Sequence, residues 1–177
     1  MSKLGPHILG WTNWPDLRGF IKKTQSNIIK AIIPMAHDTM KLADLKQLSP
    51  SSKWLLRFYL DAQPLDDPKR RARELAARIE PYAQHYDIIE DYNEIDPRDF
   101  SFDPPKPLNI DTIKRYNEFS AEFGLIVHSW GKRHITGCWS NGQPPNGAWP
   151  YLEDCLRVAD YLSLHGYGWP IMSGCPQ

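Results

Sequence analysis

The residues best equipped for chemistry stand together at positions 86–96, which read Tyr86-Asp87-Ile88-Ile89-Glu90-Asp91-Tyr92-Asn93-Glu94-Ile95-Asp96. The stretch opens as a buried strand and then sets carboxylates, a phenol and an amide where a strand should end. Side chains two apart on a strand share a face. Ile88, Glu90, Tyr92 and Glu94 are therefore expected on one side, and Ile89, Asp91 and Asn93 on the other. An unpaired buried charge is costly, so acids at a strand end imply a polar cavity. The stretch reads as half of an active site, with carboxylates available for proton transfer.

Strand-like and helix-like stretches alternate around it. A short apolar run, 7–11, is closed by Thr12-Asn13-Trp14-Pro15-Asp16, a helix start with proline in its first turn, and Leu17, Phe20, Ile21 and Thr24 then recur at helical spacing. Residues 27–34 are rich in isoleucine and end at Pro34, ahead of a polar loop containing His37. A weak helix spans 40–48. A third strand, 54–60, is apolar apart from Arg57 and ends at Asp61. Asp66-Asp67-Pro68 caps the clearest helix, in which Ala72, Leu75, Ala76, Ile79, Tyr82 and Ala83 repeat at three and four.

After the acidic stretch comes a proline-rich loop, 97–107, and a helix from Asn109 or Asp111 carrying Ile113, Tyr116, Ser120 and Phe123. Gly124 is expected to stop it. A fifth strand is expected over 125–130, ending in His128 and Trp130, followed by a long loop, 131–147, whose Lys132, Arg133, His134 and Trp139 suit recognition. Trp149-Pro150 opens a helix with Leu152, Cys155, Leu156 and Ala159 inward, and 161–167 forms a sixth strand.

Strands joined by helical crossovers make a parallel sheet. An open doubly wound sheet usually places a glycine-rich phosphate loop after its first strand, whereas this turn reads Trp11-Thr12-Asn13-Trp14-Pro15. Polar or aromatic residues end the strands at Trp11, His37, Asp61, Glu94, His128 and His165, which is where a (β/α)8 barrel keeps its site. The expected fold is therefore α/β of the TIM-barrel type, one domain over 1–177. Repeats of roughly 31 residues make eight units about 250 residues long, so this chain covers six units of a partial or truncated barrel.

Composition narrows the partners. Lysine plus arginine and aspartate plus glutamate number 21 each, so no basic field favours nucleic acid. No apolar run approaches the ~20 residues that span a bilayer, so a soluble chain with no membrane partner is expected. Cys138, Cys155 and Cys175 show no Cys-x-x-Cys spacing and read as free thiols. With no His-x-His cluster, no metal or other cofactor is expected. Seven Trp and eight Tyr suit either core packing or stacking on sugar rings.

Glu90-Asp91-Tyr92-Asn93-Glu94 resembles the fourth-strand signature, Glu-x-aromatic-Asn-Glu, of the clan of retaining glycoside hydrolases built on (β/α)8 barrels, and His165-Gly166-Tyr167 resembles its sixth-strand His-x-Tyr. Lys3-Leu4-Gly5-Pro6-His7, the run from Asp61 to Pro68, and Leu164-His165-Gly166-Tyr167-Gly168 are similar to poorly characterised bacterial glycosidase-like barrels, often found in secreted multi-domain proteins. The resemblance implies a carbohydrate substrate and Glu94 as general acid/base, with Glu90 as the neighbouring acid that raises its pKa. It further implies Asn93 on the sugar's 2-hydroxyl, Tyr167 orienting a nucleophile, Trp11 or Trp130 as a sugar platform, and Arg57 paired with a buried acid. Tyr92, His128 and His165 complete the expected substrate-binding set.

The clan's nucleophile is a glutamate on the seventh strand, and no glutamate follows Glu153. A retaining mechanism needs two carboxyls about 5 Å apart. A C-terminal part or a second copy in a homodimer would have to supply the other, or Asp61 or Asp96 would serve an inverting scheme. The alternative is an inactive barrel that binds carbohydrate or acts as a structural module. Plainer roles exist too, with Glu94 capping the loop or pairing with Arg98, Glu90 in an ion pair with Arg57, and His7 and His165 in the core.

Overall fold

The structure is a computed structural model that describes residues 6–11, 13–35, 38–93, 109–139 and 146–164. Within them the chain runs β1 (His7–Ile8), α1 (Trp14–Thr24), β2 (Ile28–Ile33), α2 (Thr39–Leu48), β3 (Lys53–Phe58), α3 (Pro68–Ala83) and β4 (Ile88–Glu90). It continues through α4 (Ile110–Ser129), β5 (Arg133–Trp139), a 3-10 turn (Asn146–Tyr151), α5 (Glu153–Val158) and β6 (Tyr161–Leu164). The starts of α2, α3 and α4 are set by side chains. Asp38 accepts from the Met40 and Lys41 amides, Asp67 from Arg70, and Asn109 from Thr112, each satisfying a donor that the helix leaves open.

The six strands form one sheet in the order β1-β2-β3-β4-β5-β6, and every neighbouring pair is parallel. The protein is thus an α/β protein, and among the described residues its sheet adds strands in chain order with no reversal and so no switch point of the doubly wound kind. Ile29, Ala31, Ile33, Trp54, Leu56 and Ile89 share one buried cluster with helical residues such as Ile21, Leu45, Leu75, Ile79 and Phe119. The alternate residues Lys30, Ile32, Leu55, Arg57, Ile88 and Glu90 are outside that cluster and belong to the opposite face.

Several expectations are corrected. The fifth strand is not 125–130, because α4 runs through Gly124 to Ser129. Gly124 is a packing glycine. A Cβ there would lie 2.5 Å from His134 Nδ1 and 2.6 Å from Val158 Cγ1, so its bareness lets α4 close on β5 and α5. The residue that turns the chain is Gly131, at φ 69°. His128 and Trp130 therefore stand where α4 ends, ahead of β5, and not at the C-terminal end of a strand. The expected recognition loop contains β5 itself, with His134 fully buried.

The acidic strand is also shorter than its pattern. It ends at Glu90, and the alternation fails beyond it. Tyr92 belongs to the core cluster, 4% exposed, stacked on Phe119 with centroids 4.0 Å apart and donating to the Pro64 carbonyl. The expected shared face with Glu90 is thereby corrected. Leu152, just ahead of α5, and Cys155 within it are buried as expected, whereas Leu156 is exposed. The short helix stops at Val158, before Ala159.

Candidate functional site

Five consecutive strands, β2 to β6, place polar side chains together on the face that the helices leave. Lys30 of β2 lies level with Leu55 of β3, and Leu55 with Ile88 of β4. Glu90 is one pleat further along. The lysine must therefore reach diagonally across β3, and its Nζ stands 2.6 Å from Glu90 Oε2. Glu90 is fully buried and Lys30 nearly so, at 7% exposure. The other carboxylate oxygen, Oε1, accepts the Cys138 thiol of β5. Burial, followed by the charge of Glu90, pushes that thiol's pKa up, so it is a donor and not a thiolate. Ser163 of β6 lies 3.5 Å from the same sulfur.

Arg57 is level with Glu90 in the register but does not pair with it. Its Nη1 donates to Asn93 Oδ1, and Cys138 stands 3.8 Å from that oxygen. The expected pairing of Arg57 with a buried acid is thus corrected. Lys30 holds the acid, and arginine holds the amide. Asn93, expected opposite Glu90, joins its side because the chain has left the strand by then. The only charge in the middle of the isoleucine run 28–33 was the available signal for Lys30.

A second buried network lies on the helix side. Asp91 accepts from Tyr116 Oη at 2.9 Å, from Ser120 Oγ at 2.5 Å and pairs with His134 Nε2 at 3.2 Å. Thr136 Oγ1 is 3.0 Å from Tyr116 Oη and 2.6 Å from Ser120 Oγ. Burial, then the Asp91 charge, holds the Tyr116 phenol well above its ordinary pKa. Serine, histidine and aspartate here do not form a nucleophilic relay, because Ser120 bonds the carboxylate and not the imidazole. The network fastens α4 to β4 and β5.

Of the other expected residues, Trp11 stands after β1, half-buried, edge-on to Trp14 at 5.5 Å between centroids, with Lys41 Nζ 5.7 Å from its ring centre. His128 is remote from the Glu90 cluster in its bonding. It meets Asp160 Oδ2 at 2.9 Å, ahead of β6. Asp61 lines a cavity of about 280 Å³ together with Arg71, Glu74, Arg78 and Tyr92, and no member of the Glu90 cluster lines it. Cys138 and Cys155 are both buried. Glu94, Asp96, Arg98, His37, His165, Tyr167 and Cys175 lie outside the described residues. No group of His, Cys, Asp and Glu that could hold a metal ion occurs among the described residues, and no described helix is long and apolar enough to cross a membrane.

No protein-family model matches this chain, and a search of curated proteins finds no match. The class that fold and site define is an α/β protein with a parallel sheet in sequential order and a buried ionic cluster toward the strands' C-terminal ends.

Proposed function

We propose that the chain is a glycosidase-like domain of the (β/α)8-barrel type, acting on a polysaccharide or cell-wall glycan, with Glu94 as general acid/base. The observation that carries this reading is the network at the end of β4. Lys30, Cys138 and Arg57, from three other strands, fasten Glu90 and Asn93, and Asn93 is the chain neighbour of Glu94. Preorganising the residues beside a catalytic acid is what proton transfer at a sugar oxygen needs. The sequential parallel order supports the barrel, as does the burial of Ile32, Leu55 and Ile88 on the face the helices leave.

In this reading Glu90 positions and does not transfer protons, because Lys30 and Cys138 already occupy its two oxygens. Arg57 and Asn93 offer donors to sugar hydroxyls, and further strands, from this polypeptide or a second copy, would supply the second carboxyl. A carbohydrate-binding module without catalysis is the second reading. It is favoured by the same commitment of Glu90, the only carboxylate in the cluster among the described residues.

Glu94→Gln tests the proposal against a panel of aryl glycosides and insoluble polysaccharides. Loss of hydrolysis by at least about a hundredfold with binding retained supports the acid/base role. Glycan binding without hydrolysis in both proteins selects the binding module. Neither binding nor hydrolysis with any glycan rejects both.

A further inference from the structure

At the opposite end of the strands, where they begin, cations converge. Lys53 opens β3, Arg133 opens β5 and Tyr161 opens β6, and together with Asp87 and Lys132 they line a cavity of about 170 Å³ floored by Ile88. Its lining carries three cationic side chains and one carboxylate. That carboxylate is already engaged. Asp87 Oδ2 accepts the Trp54 amide at 2.9 Å, and Oδ1 lies 3.7 Å from Lys53 Nζ.

Lys46 adds a fourth cation nearby. Its Nζ donates to the His85 carbonyl at 2.6 Å, and its pKa is lowered, first by burial and, against the pull of Asp87, also by the charge of Lys132. Cations often gather at helix C-termini to offset the dipole. Here the last carbonyls of α4 are satisfied without them, since Val127 and His128 accept from the amides of Trp130, Gly131 and Lys132, and Ile126 from Ser129 Oγ. Arg133 lies against Tyr161, donating to its hydroxyl with the guanidinium 5.8 Å from the ring centre, which orients the fork at the cavity wall.

We propose that this cavity is an anion site for a small oxyanion, a phosphate group either free or carried as a monoester, held by Lys132, Arg133 and Lys53. An excess of positive charge around a concave, partly apolar pocket attracts such a group, and a planar guanidinium beside two ammonium groups matches its several oxygens. The volume of about 170 Å³ is ample for one phosphate group and too small for a large ligand, so the bulk of a larger monoester would extend into solvent. The site is separate from the Glu90 cluster, and its test involves no glycan.

The test is calorimetric titration of the whole chain with inorganic phosphate and, separately, glycerol phosphate, at constant ionic strength set by sodium chloride. Saturable binding of either is expected, with one site per chain. Lys132→Gln/Arg133→Gln should weaken it by at least about tenfold, while Lys41→Gln, a lysine elsewhere on the surface, should leave it unchanged. Amide shifts on phosphate addition, followed by NMR in the unaltered chain, should centre on Gly131 to Arg133, which keeps the proposal testable if the double variant fails to fold. No saturable binding, equal response to chloride, or shifts spread evenly over surface lysines would each overturn it.

Discussion

Lys30 and Glu90 belong to strands that do not pair with each other, yet Nζ and Oε2 stand 2.6 Å apart across β3, in surroundings that exclude nearly all water. An ion pair of this kind contributes little net stability, because desolvation offsets attraction, but breaking one half leaves the other charge buried alone.

Lys30→Met should therefore lower unfolding free energy by roughly 3–5 kcal/mol in urea denaturation. Adding Glu90→Gln to it should restore most of the loss, because the stranded charge is removed. If the single variant is as stable as the parent, the pair is not formed in solution.

Gly124→Ala separates helix propensity from packing. In an open helix alanine would stabilise by about 1 kcal/mol. Here the methyl group would meet His134 Nδ1 and Val158 Cγ1 at 2.5 and 2.6 Å, so a loss of about 1–3 kcal/mol is expected. Val158→Ala in the same chain should recover part of it. A rise in thermal midpoint for Gly124→Ala alone would contradict the packing of α4 on β5.

Cys138 and Cys155 should resist alkylation in the folded protein. Burial raises both thiols, that of Cys155 to about 12, with Asp91 adding to it. Iodoacetamide at pH 8, followed by peptide mass spectrometry, should label neither until denaturant is added. Rapid labelling of Cys138 in the native chain would mean that the Glu90 cluster is open to solvent.

Asp160 should shape the acid limb of stability. Burial pushes its carboxyl up, but the His134 amide at 2.8 Å, the His128 ring and the charge of Arg133 outweigh this and hold it below the ordinary carboxylate value. A depressed carboxylate stabilises fully above its unfolded pKa, and that stability is lost as pH falls through the folded value. Asp160→Asn should thus lose stability near neutrality, by less than about 1 kcal/mol given its partial exposure, and show a flatter decline below pH 4. Parallel acid curves for the two proteins would remove Asp160 from that role.

Much of the architecture was legible before the structure. The β-branched isoleucines at 28–33, the short apolar run at 54–58 and the capped three-and-four repeat from Pro68 each favour one element by composition, length or period, and β2, β3 and α3 fall on them. Alternation of strand and helix sufficed for a parallel sheet. At 124–130 local reading failed. Glycine followed by apolar residues is compatible with a helix stop and a strand, and also with a helix that buries its glycine against a histidine ten residues later. Only the packed partner separates the two.

What the sequence by itself determined was the type of layer and the presence of acids where β4 ends, because both follow from periods of two and 3.6 along the chain. Which charge meets which was decided by tertiary structure alone. Glu90 could be expected to need a cation, but Arg57, its register neighbour, holds Asn93, and Lys30, sixty residues away in sequence, reaches the carboxylate. Strand register brings three such groups within reach of one another, and the length and direction of each side chain in a shared dry space then sets the pairing. No local pattern encodes that choice.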